Sequence, residues 1–272
     1  MTTNITFIGA GNMAEAIIAS MSDMSNYCQI VCHDISAERL AYIQGKFSNI
    51  FDDTLGVTTE IDLSKAVAGA DIVVLAVKPQ IMAEALESLR PILQKDILVI
   101  SIAAGLTTQY FENALPHARI IRAMPNTPLM VAKGATAICK GASATNNDLE
   151  KAKEIFSTAG IVEVVDESKM DITTVLSGSG PAYIFYFCEL LIKAAAELGL
   201  DKETARTLAV QTIRGAGAML ETCESAQELR AKVTSKGGAT EAAIKSFEAA
   251  NFEGMVKEAL TKAAQRAKEL NK

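Results

Sequence analysis

Histidine is nearly absent from this chain of 272 residues: there are two, His33 and His117, and neither has a cluster of potential ligands around it. A histidine-rich metal centre is therefore not expected. The five cysteines show no paired spacings. Cys28 and Cys32 fall in an expected strand and share a face. At ~3.3 Å per residue they stand roughly 13 Å apart, too far for a disulfide or one shared metal in that geometry. The expectation is a metal-free protein of a reducing compartment. Long apolar runs are missing too. Residues 182–188, the longest, fall far short of the ~20 that span a bilayer. Residues 2–4 are polar, and the short run 5–8 passes straight into Gly9, so no targeting segment is expected. Nor is positive charge in excess: the net charge of −6 argues against nucleic acid or an anionic membrane as partner. What is present, 49% hydrophobic and 21% charged residues, describes a folded globular protein with ample core, and a cytoplasmic location is expected.

Two rhythms divide the chain. Up to residue 165, short β-branched runs (5–9, 30–32, 72–77, 97–102, 119–122) alternate with helical patterns (12–21, 37–47, 81–89), and residues 135–139 and 161–165 close the series. Near-continuous apolar strands are buried on both faces, as in a parallel sheet. Residues 1–165 thus read as a Rossmann-like, doubly wound α/β domain, in which ligands sit outside the carboxyl ends of the strands. Residues 166–272 are rich in Ala, Leu, Glu and Lys and read as all helix. Pro181 suits the first turn of a helix reaching about residue 198. That helix is apolar nearly all round from Tyr183 to residue 192, so more than one face needs cover and a partner subunit could supply it. A stripe on the last helix (Met255, Val256, Ala259, Leu260, Ala263, Ala267) reads as core packing.

Gly9-Ala10-Gly11-Asn12-Met13-Ala14 follows the first strand and opens a helix. The first glycine permits a tight turn, the second lets backbone approach a pyrophosphate, and Ala14 allows close helix–sheet packing. Asp34 ends the second strand, 25 residues after Gly9, near the offset of an acid that binds an adenosine ribose. It leans toward NADH, although Ser36 and Arg39 close behind could hold a phosphate instead. Ala76-Val77-Lys78-Pro79, Ala103-Ala104-Gly105 and Met124-Pro125-Asn126-Thr127-Pro128 end three further strands, as narrow walls suited to a flat ring. Near the other end, VTSKGGAT at residues 233–240 sets a glycine pair before a helix. Bare N–H groups and the helix dipole there suit a small carboxylate.

GAGNMA, AVKPQ at residues 76–80, MPNTP, SGSGPAY at 177–183 and VTSKGGAT stand in one order, and in this the whole chain resembles the pyrroline-5-carboxylate reductases. The resemblance implies an all-α dimerisation domain at residues 166–272 that interlocks with a second copy, with higher assembly left open. It also implies reduction of L-1-pyrroline-5-carboxylate to L-proline by NADPH or NADH, without a metal. It puts Ile8, Gly9, Ala10, Gly11, Asn12 and Met13 on the pyrophosphate, Ala76, Val77 and Lys78 beside the cofactor, and Ala104 and Asn126 near the nicotinamide. Substrate would meet Ser235, Gly237, Gly238 and Thr240, with Glu167 nearby. The Thr240 hydroxyl could reach the ring nitrogen and assist proton delivery. Asp34, where NADPH-preferring members commonly carry a neutral hydroxyl-bearing segment, departs from the pattern. An asparagine that some relatives place upstream of AVKP has no counterpart around Leu63 and Ser64. A β-hydroxyacid-type dehydrogenase is the rival enzyme, but it needs a lysine base after the glycine-rich motif, and none stands before Lys193. A non-catalytic NAD(P)-binding regulator is the third alternative.

Overall fold

A computed structural model describes residues 3–22, 27–48, 56–222 and 224–270, with the side chains of Tyr27 and Cys28 left out. The side chain of Cys28, and residues Thr2 and Lys272, therefore lie outside the described residues. Eight strands form one sheet: β1 (Thr3–Ile8), β2 (Tyr27–His33), β3 (Gly56–Glu60), β4 (Ile72–Leu75), β5 (Leu98–Ser101), β6 (Arg119–Met124), β7 (Gly134–Lys140) and β8 (Gly160–Val164). Their order is β3-β2-β1-β4-β5-β6-β7-β8. Six helices accompany them: α1 (Asn12–Ser20), α2 (Ala37–Phe47), α3 (Leu63–Val67), α4 (Met82–Leu89), α5 (Thr108–Ala114) and α6 (Asn146–Ser157). Then come α7 (Met170–Thr173), a π-helical turn (Thr174–Gly178), α8 (Gly180–Glu197), α9 (Lys202–Met219), α10 (Ala226–Lys232), α11 (Ala239–Ala249) and α12 (Phe252–Leu270).

Side chains alternate across the sheet, and each face has its own core. Ile5, Phe7, Ile72, Val74 and Ile100 pack under Ile17, Ile43, Phe47 and Phe156, which come from α1, α2 and α6. Ile8, Val73, Leu75, Val99 and Ile120 pack under Met82, Leu86, Leu89 and Phe111 of α4 and α5. Burial on both faces accounts for the apolar strands, each such side chain contributing about 1.5–3 kcal/mol. Two features were not legible. Strand β3 reads GVTTE, with one buried apolar residue, Val57; as the edge strand beside β2 it needs few. And β7 runs antiparallel to β6 while the other neighbouring pairs are parallel. The nine residues between β6 and β7, which hold a 3-10 turn at Thr127–Val131, are too few for a helical crossover.

The chain divides into two compact units, Met1–Ser179 with Ala264–Lys272, and Gly180–Ala263. In the second, Ala205 and Leu229 are buried, but α8 exposes Ile184, Phe185 (67%), Tyr186 and Leu190. The stripe on α12 is not core within the chain, correcting the sequence reading: Met255 is 51% exposed and Val256 also lies open. Five helices leave too little material to wrap their own apolar faces. By length and composition alone, the helical run Glu167–Glu197 would suffice to cross a membrane.

Candidate functional site: a nucleotide turn and a glycine-capped helix

At the carboxyl end of β1 the chain turns on Gly9, whose φ is +95°. Its N–H donates to the His33 carbonyl over 2.8 Å. A Cβ there would sit 2.9 Å from the carbonyl carbon and oxygen of Ala76, where β4 ends. Both the conformation and the contact require glycine. The two peptide groups of the next residue are both held: Ala10 N–H donates to Asp34 Oδ2 (2.9 Å), and Arg39 Nε donates to the Ala10 carbonyl (2.5 Å). Gly11 then opens α1 without a side-chain cap, and a Cβ on it would meet nothing within 4 Å. A rigid turn that leaves open space at a helix N-terminus has the form of a pyrophosphate seat. Buried Ala14 holds α1 close to the sheet.

Asp34 ends in the same corner, its other oxygen accepting the Ser36 N–H at 3.0 Å. Ser36 caps α2 by accepting the Arg39 N–H. The Arg39 guanidinium ion-pairs with Glu15 and lies over the Tyr42 ring at 4.8 Å. Lys46 reaches the other Glu15 oxygen at 2.6 Å. Burial pushes the Glu15 carboxyl up, yet the hydrogen bonds from Lys46 and Arg39 prevail and hold it below the usual carboxylate range. Between the ends of β1, β2 and β4 lies a groove of about 350 Å³ bordered by Gly9, Asp34, Ile35, Leu63, Val77, Ile81, Glu84, Ala85 and Ser88. A larger depression of about 430 Å³, between α1, α2 and residues 129–132, holds Glu15, Arg39, Tyr42 and Lys46. The smaller one is the better ligand site, because it lies at the strand ends of a doubly wound sheet. The sequence reading missed its α4 wall. The signal was there: Ile81, Glu84, Ala85 and Ser88 follow one another at helical spacing.

Ala76 and Val77 are half-buried and Lys78 is exposed at the end of β4, and Ala104 is exposed just past β5. Asn126 follows β6 but is buried, and its amide is engaged: Nδ2 donates to the Ser177 carbonyl and Oδ1 accepts the Ala135 N–H, both at 2.9 Å. Its side chain thus anchors the π-helical turn beside the sheet. Glu167 lies in the same unit with its carboxylate held by the Thr108 N–H (2.7 Å), the Thr108 hydroxyl and the buried Arg122 (3.4 Å). Arg122, only 2% exposed in its side chain, has Asp171 as second counter-ion at 3.9 Å. Burial pushes the Cys32 and Cys139 thiols up to about 12, so both stay protonated near neutrality. Among the described residues no group of three or more His, Cys, Asp or Glu is placed to hold a metal ion.

The second motif lies in the helical unit. Gly238 caps α11 without a side chain, and Gly237 takes φ +75°. Ser235 shapes the turn: its carbonyl accepts the Gly238 N–H at 3.0 Å, and its Oγ would lie 2.6 Å from a Cβ at Gly238. The Gly237 N–H donates to Glu241 Oε2 at 2.8 Å. Both N–H groups of the glycine pair are thus engaged within the turn, so a carboxylate would have to use those of Ala239 and Thr240 at the head of α11. That bond to Gly237, with Lys245 behind it, holds the Glu241 carboxyl below its usual range. A carboxylate therefore already rests on this turn. Thr240 and Ser235 are exposed.

Residues 167–270 match the family model described as pyrroline-5-carboxylate reductase dimerisation, and residues 4–105 match NADP oxidoreductase, coenzyme F420-dependent. A pyrroline-5-carboxylate reductase of Pseudomonas aeruginosa is 41% identical over 99% of this chain and 97% of its own length. The chain belongs to the pyrroline-5-carboxylate reductase family. Among solved structures, such a reductase from Coxiella burnetii superposes with a TM-score of 0.92 at 42% identity, both chains covered in full. A pyrroline carboxylate reductase of Plasmodium falciparum with NADP bound follows, with a TM-score of 0.83 at 28% identity, covering 99% of this chain and 98% of that one. The run Glu167–Glu197 lies within the part of the chain that matches the dimerisation family model.

Proposed function

We infer that the chain is an oxidoreductase that reduces L-1-pyrroline-5-carboxylate to L-proline with NADH or NADPH, the last step of proline biosynthesis. The observation that carries this reading is the presence of both motifs, nucleotide turn and glycine-capped helix, in a chain matched over its full length by a relative of that name. The bound nucleotide supplies a hydride to the imine carbon. What the protein must do is orient two reactants and stabilise a charged ring. Residues 8–13 seat the pyrophosphate, Asp34 faces the adenosine ribose, and Ala76, Val77, Lys78, Ala104 and the backbone at Asn126 flank the rest of the cofactor. The N–H groups of Ala239 and Thr240 hold the substrate carboxylate, with Ser235, Gly237 and Gly238 shaping the turn; the family resemblance adds Glu167 to the substrate residues. The Thr240 hydroxyl holds the proton at the ring nitrogen. No histidine is needed.

Residues 1–165 serve the nucleotide, and residues 166–272 serve substrate and assembly. The protein works as a cytoplasmic homodimer, without metal, nucleic acid or membrane. Purified protein given pyrroline-5-carboxylate should oxidise the reduced nicotinamide and form proline in equal amounts. Turnover of 2-hydroxy or 3-oxo acids with none of the imine would reverse the assignment in favour of a β-hydroxyacid-type dehydrogenase. Nucleotide binding without turnover of either would leave a regulator.

A further inference from the structure

Arginine near the end of β2 is the usual means of accommodating a 2′-phosphate, whereas an acid there accepts from a 2′-hydroxyl. This chain carries both, and the structure separates them. Asp34 borders the groove between β1, β2 and β4, and Glu84 faces the same groove from α4. Among the described residues no lysine or arginine borders it, and the histidine in its lining, His33, is buried with Nδ1 donating to the Glu60 carbonyl at 3.1 Å. Arg39 borders instead the depression between α1, α2 and residues 129–132. Three contacts keep it there: the Ala10 carbonyl, the Glu15 carboxylate and the Tyr42 ring. Glu15 is the one of these that supplies charge. It also holds Lys46, the other cation of that depression.

We propose that Glu15 is a specificity-determining residue: by retaining Arg39 in the depression beside α1, it leaves the ribose groove acidic and selects NADH over NADPH. The proposal rests on the nicotinamide reading of the site. A 2′-phosphate would enter beside two carboxylates, in a groove whose described lining holds no lysine or arginine, whereas a 2′-hydroxyl donates to Asp34. Removing the Glu15 carboxylate frees Arg39, which follows the ribose-side loop by only a few residues, to turn toward that phosphate. Alanine has the highest intrinsic helix propensity, so α1 remains helical after the change.

Isothermal titration of the substrate-free protein with NADH and with NADPH reads the proposal without turnover. Wild type should bind NADH at least tenfold more tightly. Glu15→Ala should lower the NADPH-to-NADH ratio of dissociation constants at least fivefold. Arg39→Ala in otherwise unaltered protein should move both constants together, with their ratio held within twofold, because Arg39 does not reach the phosphate. Joining Arg39→Ala to Glu15→Ala should abolish the gain. Wild type preferring NADPH, a Glu15→Ala ratio within twofold of wild type, or selective loss of NADPH binding in Arg39→Ala each overturns it. Failure to reduce the imine while both nucleotides bind would count against the reaction alone, and failure of both to bind would count against the nucleotide site itself.

Discussion

Gly9 and Gly11 stand two residues apart and are glycine for different reasons, which substitution can separate. At Gly9 a methyl group meets the Ala76 carbonyl and the φ of +95° is left-handed, so Gly9→Ala should lower stability by about 1–3 kcal/mol and weaken nucleotide binding with it. At Gly11 the same methyl meets no protein atom. Gly11→Ala should therefore melt like wild type while raising the dissociation constant for NADH at least tenfold, because under the proposed seating the methyl would enter the space of the pyrophosphate. Thermal melts paired with nucleotide titration distinguish the two; tight binding by Gly11→Ala would remove the pyrophosphate from this turn. Thr240 is tested by kinetics. Thr240→Val should lower kcat/KM for the imine by the equivalent of about 1–3 kcal/mol with cofactor affinity nearly intact, and unchanged kinetics would leave its hydroxyl without a role. These glycines and Thr240 could be singled out in the sequence because motif and spacing are local. The grip of Arg39 on the Ala10 carbonyl could not, because it joins residues 29 apart in the chain whose meeting depends on β1 and β2 lying side by side.

At the scale of the element, the caps decide more than the helix propensities. Helix α6 begins with a capping box in which Thr145 accepts the Asp148 N–H and Asp148 accepts the Thr145 N–H and hydroxyl. Asp148 is fully buried and also ion-pairs with Arg119 of β6, so the cap fixes the helix to the sheet. Burial pushes the Asp148 carboxyl up, but the Thr145 and Arg119 bonds prevail and hold it below its ordinary 3.8. A depressed carboxylate contributes stability that is complete above its unfolded value and is lost as pH falls through the folded one. Asp148→Asn should therefore cost about 1–2 kcal/mol near neutrality and flatten the loss of stability below about pH 4. Urea titrations from pH 7 to pH 3 measure this; an unchanged acid limb would mean the carboxylate is not coupled to folding. The same scale shows what patterning can convey. Strands buried on both faces, such as β4 and β5, announce themselves as apolar runs, and the helical pattern over residues 37–47 matches α2, for which the structure adds the Ser36 cap. Edge strand β3 and the reversed β7 left no comparable signal, since one is set by a neighbour and the other by the length of a loop. The stripe on α12 was read as core because periodicity reports a face that needs cover, not which chain supplies the cover.

For the whole molecule, that missing cover is the main open quantity. Helices α8 and α12 carry apolar residues that the chain's own helices leave in contact with water, among them Phe185, Ile184, Tyr186, Met255 and Val256. An exposed apolar surface of this extent marks an interaction site, and residues 167–270 match a dimerisation family. The proposed homodimer would bury these faces in an interface of the large, hydrophobic, obligate kind. Such a protomer has little stability apart from its partner, so stability should rise with protein concentration. Phe185→Glu is the discriminating substitution, because Phe185 is two-thirds exposed in the single chain. In a monomer a carboxylate at such a position costs almost nothing and improves solubility. In a dimer it becomes a charge buried without a partner, which destabilises strongly. Sedimentation velocity should give a dimer for wild type and a dissociated, partly unfolded species for Phe185→Glu, with loss of proline formation in step. Wild type sedimenting as a fully active monomer, or a Phe185→Glu variant as stable and active as wild type, would place the partner-binding surface elsewhere.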